Sequence, residues 1–139
     1  MKTITKYLVQ FAIAASFLTL LFRISLSYGV ENQSNWIVVL SSVIYGLAMF
    51  VTGRYYGQKD EKHLPVLDIG FRFHLTTFLV HNVISYLWLL CGFASQYEKI
   101  IALNIVLLIW GSILIVHFVV FLFTRRKAIK DLDKEDLFD

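Results

Sequence analysis

Three of the four histidines in this 139-residue chain, His74, His81 and His117, stand in long stretches that contain no Asp, Glu, Lys or Arg. Imidazole titrates near neutral pH and is a common metal ligand, so these are the side chains best suited to move a proton or hold an ion. His74 and His81 are seven residues apart, which returns to nearly the same helical face. Ser85 continues that stripe, with Thr77 and Asn82 beside it. Counted at 1.5 Å per residue from the ends of the apolar runs, His81 lies about 15 Å deep, His117 about 11 Å and His74 about 4 Å. On that count His81 and His117 are expected to meet across a bundle.

Three chemistries fit this set. In the preferred one, neutral imidazoles, Asn82 and Ser85 hydrogen-bond between helices and pin their rotation. In the second they line a path for an ion, a proton or a polar substrate, with His81 as the switchable group. In the third, His81 and His117 hold a metal or a bis-histidine haem between two helices. Two or three histidines without a carboxylate make a weak ligand set, so no cofactor or metal is expected.

The remaining reactive groups are few. No Asp or Glu lies inside an apolar run, which removes the usual titrating group of a carboxylate relay or a cation-coupled carrier. Cys91 is the only cysteine and forms no disulfide or thiolate cluster within the chain; it reads as a small packing residue. Arg23 lies about 24 Å along its helix from Tyr7, and its long side chain is expected to snorkel to the nearer surface. There is no nucleophile elbow, phosphate loop or metalloprotease motif, so catalysis is not expected.

The elements that must position these groups follow from composition. A chain this short with 58% hydrophobic and 16% aromatic residues carries more apolar surface than a soluble body can hide. The apolar residues fall in four runs of spanning length, 7–29, 36–53, 72–94 and 100–124. The expected fold is all-α: a single polytopic domain, 1–139, of four transmembrane helices in two tandem hairpins. Residues 1–27 also carry a basic start and small residues at Ser25 and Ser27, but the apolar run is longer than a signal peptide needs, so a span is preferred to a cleaved leader.

Of the thirteen Lys and Arg residues, eleven precede the first run, lie between the second and third or at the first residue of the third, Arg72, or follow the fourth. The positive-inside rule then places both termini, the loop 54–71 and the tail 125–139 in the cytoplasm. This distribution argues against nucleic acid as a partner despite the net charge of +3. Short loops and a basic inner side suit a prokaryotic cytoplasmic membrane. The loop gathers Arg54, Lys59, Lys62, His63, Asp68 and Arg72, which are the candidates for cytoplasmic contact with a partner.

In size and span count the chain is similar to the small multidrug transporters, whose membrane-embedded glutamate it lacks. In length and threading it is also similar to the four-helix accessory proteins of lipid-linked sugar translocation, without a shared motif. The expected function is a non-enzymatic accessory, assembly or regulatory subunit of a membrane complex, in contact with the bilayer and a membrane-protein partner. The alternative is a small transporter or channel that works as a homo-oligomer around a histidine-lined path, and a haem- or metal-binding redox subunit is third.

Overall fold

A computed structural model describes residues 4–60 and 66–135, with side chains for 4–60 and 69–123. Among the described residues all regular structure is helical: α1 Lys6–Glu31, α2 Asn35–Asp60, α3 Val66–Leu90 and α4 Ile100–Glu135. Each contains a segment long and apolar enough to cross a membrane. The 26 residues of α1 reach about 39 Å at 1.5 Å per residue.

Local chemistry sets the helix ends. Thr5, extended at φ -92° and ψ 158°, accepts a hydrogen bond from Leu8 N at 3.1 Å, so its hydroxyl satisfies a donor that the first turn leaves open. At the far end of α1, Gln33 takes a φ of 51°, Ser34 N donates to Gly29 O at 2.9 Å and Gln33 N to Val30 O at 3.1 Å. α3 stops in the same way. Gly92 has a φ of 76°, Phe93 N donates to Trp88 O and Gly92 N to Leu89 O, both at 3.1 Å. These paired bonds are Schellman ends, and the Phe93 ring folds onto Trp88 with centroids 5.2 Å apart, the apolar contact that often accompanies the motif.

Three helix ends therefore differ from the span ends expected from the sequence. α3 ends at Leu90, short of 94, because Gly92 readily takes the left-handed turn that closes the helix. α2 continues beyond 53 to Asp60 and α3 begins before 72 at Val66, so much of the polar 54–71 stretch is helix. Cys91, expected to pack, is exposed where α3 gives way to this turn.

α1 is the centre of the bundle. Along it Phe11 meets Gly53 and Tyr56, Thr19 meets Tyr45 and Gly29 meets Ile37, so α2 runs antiparallel. Phe11 packs on Phe73 and Ser27 bonds to Trp88, so α3 runs parallel to α1. Phe71 with Phe121, Phe78 with Trp110 and Tyr86 with Asn104 make α4 antiparallel to α3. A Cβ at Gly29 would meet Ile37 Cγ2 at 3.0 Å and Val38 Cγ2 at 3.1 Å; glycine permits this close approach.

The buried apolar cluster, Phe11, Ala15, Met49, Ile69 and Phe73, lies toward the Thr5 end. Among the described residues, the backbone of α4 approaches closely only that of α3. The result is a three-helix core with a fourth helix held along one flank.

Candidate functional site

The buried face of α1 recurs every fourth residue: Phe11, Ala15, Thr19, Arg23 and Ser27. One helical face thus changes from apolar to polar along its length, and each polar residue on it finds partners from another element.

In the middle layer, Thr19 Oγ1 donates to Ala15 O at 2.7 Å and lies 3.0 Å from Tyr45 Oη. Tyr45 Oη in turn lies 3.1 Å from His81 Nδ1. His81 is buried between Tyr45 and Trp110, with ring centroids 5.7 and 5.3 Å away. The hydroxyl of Tyr45 therefore ties α1, α2 and α3 together. Phe22 stacks on Tyr45 at 4.5 Å and covers the layer.

The next layer is ionic. Arg23 is only 2% exposed, and its Nη2 lies 2.5 Å from Glu98 Oε2. Glu98 comes from the segment between α3 and α4; its Oε1 also accepts from Ser27 Oγ at 2.5 Å and from Ser95 N at 3.3 Å. Trp88 Nε1 donates to Ser27 Oγ at 2.9 Å. Ser95 Oγ and Gln96 Nε2 donate to the two oxygens of Glu31. This network holds the 91–99 segment down on the end of α1. Arg23 thus does not snorkel: a carboxylate far away in sequence is brought to it, and an ion pair offsets the cost of burial.

The histidine geometry also departs from expectation. His74 faces His117, with ring centroids 4.7 Å apart and near-perpendicular planes, and both residues are exposed on the flank of the bundle. His81 and His117 do not meet. Depth counted from the ends of the apolar runs assumed that spans three and four start level. Counted instead from their shared turn, His74 pairs with His117 and His81 with Trp110.

Asn82 and Ser85 are buried. Asn82 Nδ2 donates to Phe78 O in its own helix at 2.7 Å, with no bond to another helix among the described residues, and Thr77 bonds back to Phe73 O at 2.9 Å. Ser85 Oγ is buried and has no partner among the described residues, as is Arg23 Nε. Tyr86, which the sequence did not single out, supplies a link between α3 and α4 by donating to Asn104 Oδ1 at 2.6 Å. No group of three or more His, Cys, Asp or Glu with metal-binding geometry occurs among the described residues.

Of the polar stretch, Arg54 is exposed, and Lys59 donates to Tyr55 Oη at 2.5 Å while sitting 3.9 Å from that ring's centroid. Asp60, within the stretch 54–71 expected to be a cytoplasmic loop, is 2% exposed and accepts from Thr5 Oγ1 at 2.7 Å. Arg72 is half-buried near the start of α3. Lys62 and His63 lie outside the described residues, and for Asp68 only the helical backbone is described.

Beside the polar layers, the gap between α4 and the α1–α2 pair is a cleft of about 580 Å³. Arg23, Glu98, Lys99, Tyr45 and His81 supply its polar groups, and Phe22, Leu26, Ile105, Val106 and Trp110 much of its apolar wall. Comparison with family models, curated proteins and solved structures yields no match to this chain.

Proposed function

We propose that the protein is a four-span membrane protein with both termini and the 54–71 segment in the cytoplasm, and that it serves as a non-enzymatic accessory, assembly or regulatory subunit of a membrane complex. The asymmetry of lysines and arginines supports this threading. So does the inside-out distribution of polarity: Thr19, Arg23, Ser27, His81 and Ser85 are buried, while leucines, isoleucines and valines crowd the exterior. A prokaryotic cytoplasmic membrane suits the short connections.

The observation that carries the subunit reading is the packing of α4. Among the described residues its backbone packs closely against α3 alone, and its outward residues, Leu108 and Ile115 among them, remain exposed. A transmembrane helix of a partner protein would complete the packing there, while Arg54, Lys59, Lys62, His63, Asp68 and Arg72 supply polar contacts at the cytoplasmic end.

The experiment is photo-crosslinking in the native membrane from a reactive residue placed at Leu108 or Ile115, with Ile13 on α1 as the control position. One defined membrane protein captured from α4, and not from Ile13, supports the subunit reading. Adducts to lipid alone, or to a second copy alone, contradict it.

The transport reading keeps one observation in its favour, the continuous Thr19, Tyr45 and His81 run through the core. Its test is a pH-dependent flux into liposomes that His81→Ala abolishes while the fold survives.

A further inference from the structure

We propose that the cleft between α4 and the α1–α2 pair is a binding site for one anionic lipid, its headgroup at Lys99 and Arg23 and one hydrocarbon chain along α4. This goes beyond the subunit reading and uses a different flank of α4, since neither Leu108 nor Ile115 lines the cleft.

The cleft, about 580 Å³, is apolar along α4 and charged at one end, the pattern that suits an amphiphile. A flexible hydrocarbon chain fits that volume along the wall formed by Leu26, Ala102, Ile105, Val106 and Trp110. Sites of this size, mostly apolar with a few fixed polar groups, are typical of small amphiphilic ligands.

The charge selects the headgroup. Among the lining residues Glu98 offsets Arg23, and Lys99, exposed at the same end of the cleft, adds a positive charge; Glu31, held by Ser95 and Gln96 at that end, lies outside the lining. Arg23 points to a ligand independently of Lys99. It lines the cleft, is 2% exposed, and its Nε–H has no acceptor among the described residues. A buried guanidinium with a donor left over is costly, and an anionic oxygen drawn into the cleft as far as Arg23 would offset that cost. A zwitterionic headgroup brings its own cation beside Lys99 and gains less.

The test reconstitutes the full chain in phosphatidylcholine bilayers doped with brominated phosphatidylglycerol or, at the same fraction, brominated phosphatidylcholine. Trp110 reports from the cleft, its signal taken as the difference between the chain and its Trp110→Phe variant. The anionic lipid is expected to quench Trp110 with about fivefold higher apparent affinity, the scale of one basic side chain near a membrane surface. Lys99→Gln should remove the preference, and Ala102→Phe, which narrows the cleft, should weaken quenching by both lipids. Both positions are exposed, so these variants should keep the fold. Equal quenching by the two lipids in the unmodified chain would overturn the proposal, and so would a preference that survives Lys99→Gln.

Discussion

A phenol hydroxyl and an ion pair, more than the histidines themselves, organise the interior at the level of single residues. Tyr45 Oη lies within hydrogen-bond distance of both Thr19 and His81, so Tyr45→Phe leaves His81 Nδ1 without that contact. The expected loss is about 1 kcal/mol, read from unfolding in mild detergent. His81→Phe should cost a similar amount, and the two changes should be clearly non-additive, because they break one shared bond. Fully additive costs would mean that the hydroxyl and the imidazole do not act together.

The Arg23–Glu98 pair makes a sharper prediction. Glu98→Gln leaves a buried guanidinium without its counter-charge and should cost about 3 kcal/mol or more. Arg23→Met combined with Glu98→Leu should cost less than Glu98→Gln alone, since no uncompensated charge remains. A double variant worse than the single one would show that the pair stabilises the fold beyond repairing its own burial.

For single elements, the two Schellman ends form a matched experiment. Gln33 and Gly92 occupy equivalent left-handed positions, at φ 51° and 76°, but only the second is glycine. Gln33→Gly should stabilise the bundle by about 1 kcal/mol, and Gly92→Ala should destabilise it by a similar amount, as midpoint shifts in denaturant. Opposite signs at two like positions would tie the effect to backbone strain rather than to lost side-chain contacts.

The elements also divide what could be read from the sequence from what could not. Four helices were legible because each apolar run is longer than any competing structure requires. Their polar ends were not, because Arg54 to Asp60 look like a loop by charge yet continue α2. The buried face of α1, Phe11 to Ser27 at every fourth residue, was not read from the sequence, because the other faces of the helix are as apolar as this one. What it packs against was not visible: Glu98 reaches Arg23 from 75 residues away, and no local spacing encodes that meeting. The histidine partners were misplaced for a related reason, since only the turn between α3 and α4 sets the relative height of those helices.

Taken as a whole molecule, the chain is a three-helix core with a fourth helix attached along one edge. Among the described residues polar groups are concentrated inside and at the two ends, and the exterior between them is largely hydrocarbon. The incomplete packing of α4 leaves two surfaces: an outward flank read here as the seat of a protein partner, and an inward cleft read as the seat of a lipid. A self-contained transporter would more naturally close α4 onto α1 and α2, or close it by association with further copies of the chain.

Intact-mass measurement of the complex, released from its native membrane in mild detergent through a C-terminal tag, tests the subunit reading most directly. The account predicts a stoichiometric second membrane protein, lost when Leu108 and Ile115 are both replaced by Ala. A monomer or a defined homo-oligomer with no second protein would contradict it and shift the weight to transport.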